Sequence, residues 1–261
     1  MRFLSSFLSL ACLTFAFSTH AAPKFDTLLI KDAAHQGWQT FRVTDPVKDV
    51  LMEEGRFYNK QKEGVWRTYF DNHFIATINE YHEGKKNGLS MAFAGDGTIM
   101  HEDMYANDEK NGVTRTYGRN KKIKDETNYR NGAMDGDQFI YYKEGAMQEH
   151  AYYKNGKRDS VNTWFFESGK TSITYTYADN ALNGPSVAYY DSGAVKMQGN
   201  FKDNKETGAW KEFYENGKTK TEGTYKDGLK SGAWKVYDEN GNLTRTETYD
   251  ASGQLQSSKS K

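Results

Sequence analysis

Aromatic residues return along this chain at a fixed interval. Steps of 24 residues from Gly64 land on Gly88, Gly112, Gly136, Ser160, Gly184, Gly208 and Gly232. With each of these as position 1, position 6 reads Tyr69, Phe93, Tyr117, Tyr141, Phe165, Tyr189, Phe213 and Tyr237. Position 18 reads Tyr81, Tyr105, Tyr129, Tyr153, Tyr177, Phe201, Tyr225 and Tyr249. Every one of these is aromatic in a chain that is 15% aromatic, so the period is a property of the architecture. Position 12 is aliphatic or Thr throughout, from Ile75 to Leu243. Position 21 takes only Gly, Asn, Asp or Ser, and position 10 is mostly Gly, as in Gly193 and Gly217. Such residues accept tight turns and positive φ. Two turns per repeat mean two strands, so each repeat is predicted to be a β-hairpin.

The register follows from the loops. A three-residue loop at positions 8–10 pairs position 7 with 11 and position 6 with 12. A matching loop at 19–21 pairs 18 with 22. Strict alternation then turns positions 2, 6, 12 and 18 to one face, giving a single aromatic and aliphatic stripe. Phe57 extends the position-18 column upstream. The expected fold is all-β: an elongated antiparallel sheet of tandem 24-residue β-hairpin repeats over residues 52–253. About 17 strands at roughly 4.8 Å spacing make it on the order of 80 Å long. Residues 22–51 lack the pattern and are expected to cap the array. Residues 254–261 read as a flexible tail.

Composition narrows the function. The 261 residues are 36% hydrophobic with mean hydropathy −0.90, yet the aromatic content argues against bulk disorder. Past residue 22 no apolar run reaches the length of a membrane helix. Lys and Arg together number 35, as do Asp and Glu, so no global charge points to nucleic acid. Met1-Arg2, the apolar stretch from Phe3 to Phe17 and the small residues Ala21-Ala22 form a secretory signal peptide over 1–21. The mature chain is expected to begin at Ala22, in the periplasm or outside the cell. Cys12 falls within the leader, so the mature chain has no thiol for disulfides, catalysis or zinc.

Gly208-Ala209-Trp210-Lys211-Glu212-Phe213-Tyr214, Gly232-Ala233-Trp234-Lys235-Val236-Tyr237 and Gly64-Val65-Trp66-Arg67-Thr68-Tyr69-Phe70 resemble the MORN-variant repeat family. The resemblance spans residues 52–252. It implies an elongated array of hairpins and, for bacterial members, an antitoxin or immunity role, in some cases against phospholipase effectors of secretion systems. The related eukaryotic repeats imply membrane attachment or scaffolding. The middle repeats depart from the pattern, with Ser90, Thr114, Gln138, Asn162 and Ser186 in place of Trp at position 3.

No arrangement of His35, His73, His82, His101 or His150 has zincin spacing, and no nucleophile elbow occurs. Gly169-Lys170-Thr171 and Gly217-Lys218-Thr219 fall at hairpin turns and lack the earlier glycine of a phosphate loop. The expectation is therefore a non-enzymatic protein with no cofactor and no metal. Large aromatics at odd positions break the polar pattern of the second face: Tyr142, Tyr152, Trp164, Phe166 and Tyr190 come from three neighbouring repeats. They are the candidate binding residues, since rigid aromatics dominate interface hot spots. The expected partner is a protein toxin or effector, with no nucleic acid. An envelope scaffold or lipid-binding array is the alternative, disfavoured by the neutral charge. Oligomeric state is left open by the sheet edge expected near Tyr249.

Overall fold

The computed structural model describes residues 25–261, so the leader assigned to 1–21 lies outside the described residues. Among the described residues, 21 antiparallel strands form one sheet and none is helical. Strands pair with their sequence neighbours from Asp26–Lys31 at one edge to Leu255–Ser260 at the other. Glu109–Lys110 and Gly112–Tyr117 both pair with Ile99–Ala106, as one strand interrupted at Asn111.

Two outer segments differ from expectation. The unpatterned residues before the array extend the sheet itself through Asp26–Lys31 and Trp38–Asp45. The segment read as a flexible tail forms the last strand, with Thr248 opposite Ser257 and Thr246 opposite Lys259. Beyond Leu255 its residues are polar on both sides, which hid a strand held by backbone pairing and by the Gln256 amide donating to Asp250 at 2.6 Å.

The loop at positions 8–10 has the expected length. Position 6 stands opposite 12 in every repeat, from Tyr69 and Ile75 to Tyr237 and Leu243. The Phe70 N–H donates to the Phe74 carbonyl at 2.8 Å, and the His73 N–H closes the turn onto the Phe70 carbonyl at 2.9 Å. In the first seven repeats the other loop holds two residues rather than three, whereas the last repeat keeps three, at 251–253. The central pair of the two-residue loop, Asn131 and Gly132 for example, has φ of 48° and 79°, the mark of a type I′ turn. Position 19 thus pairs with 22 and 18 with 23, as His82 does with Lys85 and Tyr81 with Lys86. Each such turn is bonded to the one before it. The N–H of Gly84, Gly132 and Gly228 donates to the carbonyl of Lys62, Lys110 and Glu206 at 2.8–3.0 Å.

A β-bulge then redistributes the side chains. Tyr69 faces Ile75, but its neighbour Thr68 faces Thr77, so position 13 is an extra residue. One extra residue inverts the alternation beyond it. Position 18 comes to lie across from position 1, as Tyr81 does from Gly64, on the face of positions 3 and 5. Positions 6 and 12 belong to the opposite face. The single stripe expected from 2, 6, 12 and 18 is therefore split between two faces.

On the first face, rings from positions 3 and 18 meet edge to face. Phe201–Trp210, Trp210–Tyr225 and Tyr225–Trp234 have centroids 5.4, 5.5 and 5.0 Å apart. Trp66, Trp210 and Trp234 are buried although the sheet has no second layer. Each lies on a glycine at position 16 of the preceding repeat: Gly55, Gly199 or Gly223. Position-23 cations roof the rings, with Lys62 Nζ 3.9 Å above Trp66 and Lys230 Nζ 4.4 Å above Trp234. On the second face, position-6 hydroxyls donate to position-15 carboxylates: Tyr69 to Glu54 at 2.6 Å, Tyr117 to Glu102 at 2.7 Å, Tyr237 to Glu222 at 2.8 Å.

These bonds tie stability to alkaline pH. Burial first, and then the Glu54 acceptor, pushes Tyr69 up to about 12; burial and Glu102 do the same for Tyr117. An unfolded phenol ionises near pH 10, so between about 10 and 12 only the unfolded chain gives up the proton. The contribution is complete below about pH 10 and is lost as pH rises through 12. The urea midpoint is expected to fall across that window, and less steeply in Tyr69→Phe/Tyr117→Phe. An identical slope in the double variant would remove these hydroxyls as the cause.

Candidate binding surface

The five aromatics singled out in the sequence do not form one patch. Trp164 lies on the first face, 5.7 Å from the Tyr175 ring and beneath Arg158, whose guanidinium carbon is 5.4 Å from its centroid. Burial pulls the Arg158 cation down, but Glu149 and Tyr153 outweigh it and leave it raised. Glu149 is itself buried and pairs with that guanidinium at 2.5 Å. Trp164 is thus a packing residue held in an ionic and aromatic cluster. Tyr152, at position 17, stands on the opposite face across from Asp159, and it is exposed.

Tyr142, Phe166 and Tyr190 are brought together as equivalents. All three occupy position 7, at the end of the hairpin beside the three-residue loop, and Tyr214 continues the column. The hydroxyls of Tyr142, Tyr190 and Tyr214 donate to the carbonyls of Phe165, Phe213 and Tyr237, each in the next repeat, at 2.8, 2.8 and 2.9 Å. Position-13 lysines accompany two of the rings: Lys196 Nζ lies 5.7 Å from the Tyr190 centroid and Lys220 Nζ 5.9 Å from that of Tyr214. The column thus serves as a strap between repeats and as an aromatic edge half open to solvent.

The column has gaps where Ala94 and Gly118 stand at position 7. A cleft of about 260 Å³ opens between the third and fourth repeats, lined by Gly118, Ile123, Tyr141 and Tyr142 and by the cations around them. A second opening of about 280 Å³, with Asp96, Ile99, Tyr117 and Lys121 in its wall, lies one repeat earlier. Neither was visible as a site in the sequence, because the signal is an aromatic missing from a column. Burial, and then Glu126, raises the Tyr141 phenol above its ordinary value. Among the described histidines, His82 pairs with Glu63 at 3.0 Å and His150 with Asp137 at 2.7 Å, each as a two-residue contact.

These features define a class: a single-layer array of tandem β-hairpins whose turns and rings are bonded from one repeat to the next. Residues 134–155, 182–203, 206–227 and 230–251 match the MORN repeat variant family, so four of the repeats are of this type. The matched segments each run from position 23 to position 20. They include two repeats with Gln138 or Ser186 in place of Trp, so the drift at position 3 stays within the repeat type. No curated protein matches the chain.

Proposed function

We propose that this protein is an exported, non-catalytic binding protein that neutralises a protein toxin or effector by occupying its surface, an immunity-type role. The observation that carries the reading is the column of position-7 aromatics along one edge of a long sheet. Rigid rings repeated at equal spacing present a large contact area at little cost in side-chain entropy. A one-layer sheet also leaves both faces in solvent, which suits recognition across a broad surface better than a reaction needing water excluded from an enclosed site. Charged residues make up 27% of a neutral chain, so local patches of either sign can speed association. Export rests on the leader read at residues 1–21.

The product of the adjacent open reading frame, directed to the periplasm, is the test. Cells that also express this protein are expected to survive, whereas cells expressing the neighbour alone lose viability. Equal killing in both cultures would refute the immunity role.

A further inference from the structure

The cleft beside Gly118 is a vacancy in a repeated pattern, and its walls retain what the missing ring would have met. In the sixth and seventh repeats a position-13 lysine lies by the position-7 tyrosine ring. In the third repeat position 13 is Lys124, which lines the cleft, but position 7 has no ring for it. In the fourth, sixth and seventh repeats the position-7 hydroxyl reaches the next position-6 carbonyl. The corresponding carbonyl here belongs to Tyr141, which also lines the cleft, and Gly118 has no hydroxyl to offer it. A cation for a ring face and an acceptor for a phenol are both in place.

The rim supplies the second half of the recognition. Arg119, Lys122, Lys124 and Lys143 line the cleft, and Glu144 is the single carboxylate on the two turns that flank it. Lys122 Nζ is tied to the Glu144 carbonyl and lies 3.5 Å from its carboxylate, which leaves the other cations of these turns without a carboxylate within ion-pair distance. All four are exposed. A neutral chain has therefore concentrated positive charge around one aromatic-lined notch.

We propose that this cleft receives a tyrosine side chain from an acidic segment of a partner protein, the incoming ring completing the position-7 column. The ring lies by Lys124, its hydroxyl donates to the Tyr141 carbonyl, and flanking carboxylates meet Arg119 and Lys143. The inference rests on the binding-protein reading and names where, and by what chemistry, the partner is held.

The probe is the blocked peptide Asp-Glu-Tyr-Glu-Asp, titrated calorimetrically into the purified protein at low salt. Saturable binding is expected, about fivefold weaker when Phe replaces the peptide tyrosine, since one hydrogen bond is lost. It is expected to vanish with Ala and to weaken in 0.5 M salt as screening shortens to a few ångströms. Gly118→Tyr fills the notch with the residue found at position 7 in the fourth repeat. Gly118 lies outside the left-handed region, and a Cβ there meets first the Asn120 side-chain oxygen at 2.8 Å, which can swing away. This variant is expected to fold and to lose affinity about tenfold or more. Lys124→Gln, which copies Gln148 at position 13 of the fourth repeat, gives an independent loss. Undiminished binding by both variants, equal binding of the Ala peptide, or no saturable binding overturns the proposal. So does capture of wild type and Gly118→Tyr alike by anionic vesicles of one part phosphatidylglycerol to three parts phosphatidylcholine, together with loss of peptide binding. Failure of the peptide with toxin neutralisation intact condemns this cleft alone. Peptide binding without neutralisation condemns the immunity role alone.

Discussion

Gly199→Ala is expected to destabilise the protein by about 3 kcal/mol, at the upper end of overpacking penalties. A methyl group there would sit 2.2 Å from Cδ2 and Cε2 of Trp210. The indole cannot yield in place. It is 6% exposed, its Nε1–H donates to the Asn200 carbonyl at 3.3 Å, and Phe201 and Tyr225 close on it from either side. Other repeats use the alternative packing: where position 16 is Ala151 the facing residue is Asn162, and where it is Tyr175 the facing residue is Ser186. Large and small are exchanged across one contact. Gly199→Ala combined with Trp210→Asn should thus fall short of the summed single losses by about 1 kcal/mol or more. Urea unfolding followed by circular dichroism checks both values. Strict additivity, or a single-variant loss within about 0.5 kcal/mol, would mean that the glycine is not the seat of the tryptophan. Because repeats contact only their neighbours, the weakened segment should also melt as a separate early transition.

The second large effect concerns position 1, where eight equivalent residues divide into two conformations. Gly64, Gly208 and Gly232, which precede tryptophan, have φ of 70°, 69° and 69°. Gly88, Gly112, Gly136 and Gly184, in repeats without tryptophan, have φ of 110°, 116°, 114° and 131°. Ser160 adopts 59°, within the left-handed well that a side chain tolerates at a cost of about 1–2 kcal/mol. Gly184→Ser is expected to cost about 3 kcal/mol, because that φ is open essentially to glycine alone and a Cβ would meet the Thr176 Cβ at 2.9 Å. Gly208→Ser, with nothing within 4 Å, is expected to cost about 1 kcal/mol. Equal shifts in urea midpoint for the two variants would show that the conformational split has no energetic weight.

Much of the candidate site was legible before the fold was known, though in the wrong arrangement. Tyr142, Phe166 and Tyr190 stood out as aromatics where polar residues were expected, and they do share one edge. Trp164 and Tyr152 were grouped with them by parity counting, but Trp164 packs against Tyr175 and Arg158 and Tyr152 stands on the opposite face. The Gly118 cleft was missed because attention to aromatics passes over the position that lacks one. The tryptophan seats could have been found: Gly55, Gly199 and Gly223 each stand eleven residues before Trp66, Trp210 and Trp234.

By itself the sequence determined the 24-residue period, the hairpin as its unit and the three-residue loop at positions 8–10. These depend on backbone preferences of Gly, Asn and Asp and on spacing, which act within a few residues. The tertiary structure alone decided which rings share a face. That choice turns on one unpaired residue at position 13 and on a two-residue turn at 20–21, each set by how neighbouring strands pair rather than by the residue types within either strand. A shift of one residue costs the local sequence almost nothing, yet it sends every later side chain to the other side of the sheet.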